Sequence, residues 1–210
     1  MAIKLIVADD QEVIRRGLAS LLAGEDIEIV AEAVTGKEAI SKTKRHKPDV
    51  LLMDVLMPDI DGLDALERIR KNSPATKVIM MSAYDNPSYV ARAAALGAAD
   101  FLPKDVPAKA FASAIKRAVQ GEGLPADAPL SRMKAKLQVR PDPKADDVPL
   151  TRREYQVLLH LAYGLSNREI GFSMHISVET VKEHMQNILQ KLKVQDRTAA
   201  AVWALKRGLL

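Results

Sequence analysis

The sequence predicts an α/β domain of five strand–helix units followed by a small domain made only of helices. Short apolar runs alternate with helix-periodic segments over the first 120 residues. The alternation then gives way to a proline-rich stretch, and only helical patterns follow from Thr151 onward. Alternating strands and helices favour a parallel sheet covered on both faces, and the change of pattern marks a domain boundary.

The strand candidates are short and almost continuously apolar, as strands buried on both faces are. A common arrangement of five such units is the flavodoxin-like parallel sheet with strand order 2-1-3-4-5, and we predict that order here. The predicted strands are Ile3–Ala8, Ile27–Ala31, Val50–Met53, Lys77–Met81 and Phe101–Leu102, and the predicted helices are Gln11–Leu22, Gly36–His46, Leu63–Arg70, Pro87–Leu96 and Pro107–Gln120.

The chain divides into a domain at 1–121, a linker at 122–147 and a domain at 148–210. The linker contains several prolines and one candidate short helix, Ser131–Val139. Capping boxes at Thr151–Glu154 and Ser166–Glu169 indicate the starts of two helices in the second domain. Ser177 can cap a longer helix to about Lys193, and a fourth helix covers Arg197–Arg207. We therefore predict a small all-α domain of four helices.

Composition narrows the possible classes of protein. Hydrophobic residues make up 48% of the 210 residues, enough for packed cores. The absence of cysteine excludes disulfides and thiolate metal sites and fits a reducing compartment. The sequence has neither a signal-peptide pattern nor an apolar run long enough to span a bilayer, so we expect a cytoplasmic protein with no membrane partner. The net charge of +4 resides in the C-terminal third, which is compatible with a nucleic-acid partner and equally with a solvated surface.

Charged and polar side chains follow four of the five predicted strands. Asp9 and Asp10 end the first strand, Asp54 the third and Ser82 the fourth, while Lys104 follows the fifth. These four strands are neighbours in the order 2-1-3-4-5, and ligands bind beyond the carboxyl ends of such strands. A single Asp at a strand end is more often a helix cap than a ligand, but that explanation does not account for all five together.

This cluster has the chemistry of phosphoryl transfer. Three carboxylates repel one another unless a cation neutralises them, and Mg²⁺ prefers carboxylate, water and phosphate oxygens. A carboxylate can attack phosphorus to give an aspartyl phosphate. Lys104 can offset the charge of the transferred group, and Ser82 can donate a hydrogen bond to it.

The motifs of this half resemble the signature of response-regulator receiver domains: Asp9-Asp10, Asp54-Val-Leu-Met-Pro58, Asp61-Gly62, Ser82-Ala83 and Lys104. The resemblance implies that Asp54 is the phosphoacceptor. It also implies Mg²⁺ held by Asp10, Asp54 and the backbone carbonyl of Leu56, with Asp9 assisting, and phosphate contacts from Ser82 and Lys104. Phe101 falls at the family's switch-aromatic position, which moves inward on activation; a plain core aromatic is the alternative.

Two details near the site depart from the family pattern or add to it. Many receivers have proline after the pocket lysine, but here Asp105 follows Lys104 and Pro103 precedes it. The isomer of the Leu102–Pro103 bond is therefore left open.

Tyr84 and Leu56 flank the expected phosphoryl site, and a bulky Tyr84 could shield the acyl phosphate, which predicts a long-lived phosphorylated state.

The second domain resembles the LuxR-type helix-turn-helix, and with the receiver it indicates the NarL/FixJ class. The segments that carry the resemblance are Leu150–Leu158, Gly164–Ile170, Ser177–His184 and Lys191-Leu192. On the longer helix, Val181, Met185, Ile188, Leu189 and Leu192 recur at core spacing. The family's base-reading positions fall on Lys182, Glu183 and Gln186. Thr180 and Lys191 are further candidates for DNA contact. The alternative for each of these residues is a helix face that only contacts solvent. Phosphate contacts are possible for Arg152, Arg168, Lys191 and Arg197, and a solvated surface is equally compatible.

The combined resemblance implies a two-component response regulator that is not an enzyme. Its partners would be a sensor histidine kinase, promoter DNA, a second copy on phosphorylation and RNA polymerase. A Mg²⁺-dependent phosphohydrolase is the rival enzyme, but such enzymes place a second acid two residues after the nucleophile, where this chain has Leu56. A regulator that works without phosphate is a third reading. The spacing of His160, His175 and His184 does not match a metal-binding motif.

Overall fold

A computed structural model of the chain describes residues 2–138 and 148–210. Its five parallel strands form one sheet in the order β2-β1-β3-β4-β5, which confirms the predicted topology. The strands are β1 (Ile3–Ala8), β2 (Ile27–Ala33), β3 (Val50–Asp54), β4 (Lys77–Ser82) and β5 (Asp100–Pro103).

Helices cover both faces of the sheet: α1 (Glu12–Leu21), α2 (Gly36–His46), α3 (Gly62–Asn72), α4 (Pro87–Ala95) and α5 (Ala108–Gln120). Alternate residues of each strand enter different cores, since side chains alternate across a strand. Ile6, Leu51 and Met80 pack on the side of α2, α3 and α4. Leu5 and Leu52 pack with α1 and α5 on the other side. The central strand β3 is buried along its whole length, so Asp54 is carried to the sheet edge on a rigid support.

The predicted linker contains a helix, α6 (Pro129–Leu137), which packs against α4 and β5. It begins two residues before the predicted start because Pro129 occupies the first turn, where proline is tolerated. Leu130, Met133 and Leu137 repeat at helical spacing, are buried, and belong to the same core cluster as Phe101. The predicted helix end, Val139, and the linker segment 139–147 lie outside the described residues.

The C-terminal part is helical as predicted, with α7 (Arg152–Ala162), α8 (Asn167–Met174), α9 (Val178–Leu192) and α10 (Arg197–Lys206). Both predicted capping boxes form, at the starts of α7 and α8. Gly171 makes the turn between α8 and α9 possible, because a Cβ there would lie 2.8 Å from the Ile176 carbonyl oxygen. Within the described ranges, no helix combines the length and apolar character that crossing a bilayer requires.

Candidate functional site

The three predicted carboxylates meet at the carboxyl edge of the sheet. Asp9 and Asp10 follow β1, Asp54 ends β3, and one ligand oxygen of each lies within 4.8 Å of the others. Asp9 and Asp54 are buried, whereas Asp10 is exposed. The strand-end reasoning thus located this cluster, and the cluster is open to solvent on the side of Asp10.

Lys104 bridges the two buried acids. Its Nζ lies 2.7 Å from Asp9 Oδ2 and 2.8 Å from Asp54 Oδ2. Its backbone N–H donates to the Ser82 carbonyl at 2.8 Å, which fixes the start of the loop after β5. Burial opposes the charge of Lys104, but hydrogen bonds to Asp54 and Asp9 outweigh it, and the pKa of Lys104 is raised. The ammonium therefore stays charged at neutral pH.

Burial raises the pKa of Asp54, and the hydrogen bond from Lys104 offsets only part of this effect. The charge of Asp9 acts in the same direction. Asp54 is therefore a carboxylate whose negative charge is poorly compensated by the protein alone. A divalent cation at this edge would stabilise its ionised, nucleophilic form.

The donor set fits Mg²⁺, a hard cation that takes oxygen ligands. Asp9 Oδ2 is buried, and its one cationic neighbour among the described residues is the Lys104 ammonium at 2.7 Å, which it shares with Asp54. A buried carboxylate oxygen of this kind is costly unless it is paired or coordinates a metal. The three carboxylates, with the exposed Asp10 facing solvent, thus provide oxygen ligands and an entry side.

Gly62 allows the backbone to close against Asp54, a role that the sequence motif alone does not explain. A Cβ on Gly62 would lie 1.9 Å from the Asp54 carbonyl oxygen and 3.1 Å from the end of the Met80 side chain. Gly62 N–H also donates to the Val55 carbonyl at 2.7 Å. Any side chain at this position would push α3 away from the loop that follows β3.

Ser82 and Tyr84 form a small hydrogen-bonded loop beside the acids. The Ser82 hydroxyl donates to the Tyr84 carbonyl at 3.1 Å and accepts from the Tyr84 N–H at 3.0 Å. The hydroxyl is therefore already engaged with its own loop. Tyr84 is 62% exposed and Leu56 is 43% exposed. Both line a surface depression of about 450 Å³ together with the start of α4.

Phe101 already lies inward in this structure. It is 3% exposed and packs in the same cluster as Leu130 and Met133 of α6. The family resemblance implies inward movement on activation, whereas here Phe101 is already buried together with residues of the linker helix α6. The Leu102–Pro103 bond, left open by the sequence, is trans.

The longer helix α9 presents the predicted base-reading residues to solvent. Lys182, Glu183 and Gln186 are exposed, and Thr180 is partly exposed beside the Ser177 cap. Val181, Met185, Ile188 and Leu192 are buried as predicted, while Leu189 is partly buried. The polar face of α9 is thus separate from the face that holds the domain together.

The candidate phosphate-contacting cations differ in their surroundings. Lys191 Nζ lies 2.7 Å from Glu154 Oε2, a buried acid of the α7 capping box. Arg197 donates to the Leu165 carbonyl at 2.8 Å, whereas Arg152 is exposed. Arg168 lies 2.6 Å from Glu67 of α3. Contact with DNA would therefore compete with existing partners at Lys191, Arg197 and Arg168.

Two ion pairs join the receiver half to α8. Arg92 of α4 donates to Glu169 Oε1 at 2.5 Å, and Glu169 is almost fully buried. Burial opposes the charge of Arg92, but the hydrogen bond to Glu169 outweighs it and raises the pKa of Arg92. The second pair is Arg168 with Glu67. Neither pair had a signal in the sequence, because the partners are far apart along the chain.

Of the three histidines considered, His160 is held as a structural residue. Its Nδ1 lies 2.7 Å from the Gln156 carbonyl and its Nε2 lies 2.9 Å from the Ser173 hydroxyl. Since a carbonyl only accepts, Nδ1 carries the proton and Nε2 accepts from Ser173. Burial lowers the pKa of His160, so the ring is neutral at neutral pH.

This fold and site agree with two protein families. The response regulator receiver domain matches residues 5–116, and the LuxR family of bacterial regulatory proteins matches residues 148–204. The chain therefore belongs to the NarL/FixJ-type response regulators, which join a receiver domain to a LuxR-type helix-turn-helix DNA-binding domain.

Individual relatives are similar over the full chain. The response regulator protein VraR of Staphylococcus aureus is 40% identical over 211 residues, covering 100% of both chains. The crystal structure of ChrA, a response regulator of a heme-sensing two-component system, is 31% identical, covers 100% of this chain and 99% of its own, and has a TM-score of 0.54. The receiver domain of the response regulator NarL from Mycobacterium tuberculosis is 33% identical over 58% of this chain and 98% of its own, with a TM-score of 0.56.

Proposed function

We propose that a sensor histidine kinase phosphorylates this chain on Asp54 and that phosphorylation controls dimerisation and sequence-specific binding to promoter DNA. The observation that carries the proposal is the position of α4. The loop before α4 holds Ser82 and Tyr84 beside the acids, and Arg92 on the same helix is paired with Glu169 of the DNA-binding domain.

In the proposed reaction, a carboxylate oxygen of Asp54 attacks the phosphorus of a phosphohistidine. A P–O bond forms, the P–N bond breaks, and the imidazole of the kinase leaves. Bound Mg²⁺ would offset the charge of the phosphoryl oxygens; its proposed ligands are Asp10, Asp54 and the Leu56 carbonyl, with Asp9 assisting. Lys104, already 2.8 Å from Asp54, is placed to pair with a phosphoryl oxygen.

The phosphoryl group would compete for the groups that now stabilise the apo site. Ser82 would exchange its bonds to Tyr84 for a bond to a phosphoryl oxygen, which displaces the loop leading into α4. A shift of α4 weakens the contacts of Arg92 with α8 and of the α4 face with α6. Phosphorylation then favours a state in which the DNA-binding domain is free of the receiver, as a population shift.

The proposed DNA surface is the solvent-facing side of α9. Lys182 suits a phosphate or guanine, Gln186 an adenine, and Glu183 a cytosine, with Thr180 and Lys191 as flanking contacts. In helix-turn-helix proteins the first helix crosses the DNA backbone. Here that helix is α8, whose Arg168 and Glu169 are paired with the receiver. Separation of the domains would release Arg168 for the DNA backbone, and a dimer would place two α9 helices on two half-sites.

A phosphohydrolase is the less favoured function. The place two residues after Asp54 is occupied by Leu56, which cannot act as a general acid. A regulator needs only to accept a phosphoryl group on Asp54 and does not need to hydrolyse a phosphate ester repeatedly.

The test is intact mass spectrometry after incubation with Mg²⁺ and acetyl phosphate. We expect the protein to gain one phosphoryl group and the Asp54→Ala variant to gain none. Chelation of Mg²⁺ should abolish the gain in the wild-type protein. No gain at Asp54 with Mg²⁺ present would contradict phosphorylation and favour a regulator that works through protein contacts alone.

A further inference from the structure

A second polar cavity lies where the receiver, the linker helix and the DNA-binding domain meet. Its volume is about 570 Å³. Arg70 and the end of α4 line it on the receiver side, Lys134 on α6, and Arg153 and His175 on the DNA-binding side. Every ionisable residue that lines it is basic, and none is Asp or Glu. The cavity is separate from the acidic site at the carboxyl edge of the sheet.

The cations of this cavity lack partners of opposite charge. Within the described ranges, Lys134 and Arg153 form no ion pair, and Arg70 Nε is a buried donor without a hydrogen-bond partner. Arg70 uses one other nitrogen to donate to the Pro74 carbonyl at 3.2 Å. Arg153 is exposed and Lys134 is partly buried, so the least compensated donor is the buried Arg70 Nε, and an anion that accepts from it would be stabilising.

Lys134 shows the imbalance most clearly. Burial lowers its pKa, and the one charge that opposes this effect is Asp100. The Asp100 carboxylate already has two hydrogen-bond partners, since it accepts from Arg117 at 2.5 Å and from the Phe101 N–H at 2.8 Å. The carboxylate near Lys134 is thus neutralised by another cation, and the partly buried Lys134 ammonium has no acidic partner among the described residues.

The cavity also has an apolar wall. Phe172 is 46% exposed at its edge, and Ala94, Ala95 and Gly97 line the side beside it. An exposed aromatic ring offers a face for stacking of a planar group, and the volume falls within the range of small-molecule sites, roughly 300–1,000 Å³. Cationic side chains and a planar aromatic face therefore lie side by side in this cavity.

We propose that this cavity binds a nucleoside di- or triphosphate, with the phosphates on Arg70, Lys134 and Arg153 and the base against Phe172. The ligand would contact all three parts of the chain and hold them in the arrangement described here. Its effect on DNA binding rests on the proposed function above, whereas binding itself does not.

Isothermal titration of the full chain with ADP, in EDTA and without acetyl phosphate, tests binding independently of phosphorylation and DNA. We expect Lys134→Gln and Arg153→Gln each to weaken ADP binding about tenfold, the loss of one charge-assisted hydrogen bond. Lys136→Gln is the matched control, since Lys136 is exposed on the same helix and does not line the cavity. It should change affinity less than about twofold.

Phe172→Ala separates the two parts of the proposed site. It should weaken binding of ADP but leave binding of pyrophosphate unchanged. The proposal is overturned if ADP does not bind, if the cavity variants bind it as the wild type does, or if Lys182→Gln on the DNA face weakens ADP binding as much as they do. Unchanged thermal unfolding of each variant establishes that a loss of binding is not a loss of fold.

Discussion

Asp54 and Lys104 show how the chain keeps a buried acid ready for chemistry. Among the described residues, Lys104 is the one ammonium beside the three carboxylates, and it divides its contacts between Asp9 and Asp54. Burial still raises the pKa of Asp54, so the protein alone does not fully stabilise its charged form. This imbalance is the physical reason that a divalent cation would assist both the resting site and phosphoryl transfer.

Tyr84 should control the lifetime of the phosphorylated state. Its exposed ring and Leu56 flank the site where water must approach an acyl phosphate on Asp54. We expect Tyr84→Ala to shorten the half-life of phosphorylated protein severalfold, measured by loss of the phosphoryl mass after removal of acetyl phosphate. Tyr89→Ala, a second tyrosine that lines the same depression from α4, is the matched control. Equal half-lives of wild type and Tyr84→Ala would remove the shielding role.

His160 should make stability depend on pH. Burial lowers its pKa in the folded chain, so the unfolded chain binds more protons as pH falls. The stabilisation is present above the unfolded pKa of about 6.5 and is lost as pH falls from there toward the folded pKa, by at most about 1.4 kcal/mol per pH unit.

The measurement for His160 is the Tm of the full chain between pH 7.5 and 5.5, compared with His160→Gln. The variant has a lower Tm at pH 7.5, because it loses packing and hydrogen bonds, but it should lose less Tm on acidification than the wild type. Parallel pH curves for the two proteins would show that His160 does not titrate in this range.

Helix α4 is the element that connects the acidic site with the DNA-binding domain. Asn86 caps its start next to Tyr84, and Arg92, six residues further along the helix, reaches Glu169 and, at 3.6 Å, Asp64. The packing of α6 against the same helix adds an apolar contact to the ionic one. Both contacts depend on the position of α4, so movement of this helix changes them together.

Breaking the Arg92–Glu169 pair should raise the DNA affinity of the unphosphorylated protein. Arg92→Gln leaves Glu169 with a buried, uncompensated charge that becomes hydrated only when the domains separate. We expect roughly fivefold to tenfold tighter binding to a selected DNA site, measured by fluorescence anisotropy. Arg16→Gln, which breaks the exposed pair with Glu12, is the control and should have no effect. Unchanged or weaker DNA binding by Arg92→Gln would contradict a restraining role for this contact.

The sequence predicted the elements better than the contacts between them. Continuous apolar runs predicted all five strands, and the strand order brought Asp9, Asp54 and Lys104 together. Capping boxes predicted the starts of α7 and α8 because capping is local chemistry. The position of α6 was less certain in the sequence, since its burial depends on partners in α4 and β5.

No sequence pattern indicated the ion pairs between the two domains. Arg92 and Glu169 are separated by 77 residues, and Glu169 had a sufficient local explanation as a capping residue. Lys104, by contrast, was predictable because strand topology fixed its place. Local chemistry and regular topology can therefore be derived from residues, while contacts between domains require the structure.

In the proposed function, phosphorylation at one edge of the sheet would change how the two domains are held together. The ion pairs of α8 and the packing of α6 hold the described arrangement, and they are few enough for a local change at α4 to shift it. The phosphoryl group can shift the equilibrium between joined and separated domains only by the difference in its interaction free energy with these two states. Domain separation on phosphorylation is therefore the central claim.

The absence of cysteine allows this claim to be tested directly. Cysteines introduced at the exposed Glu28 and Gln190 can carry a donor and an acceptor dye, and an excess of unlabelled protein excludes transfer between copies. We predict that acetyl phosphate with Mg²⁺ changes the energy-transfer efficiency of the wild-type protein and leaves that of Asp54→Ala unchanged. An unchanged efficiency in protein shown by intact mass to be phosphorylated would contradict the account.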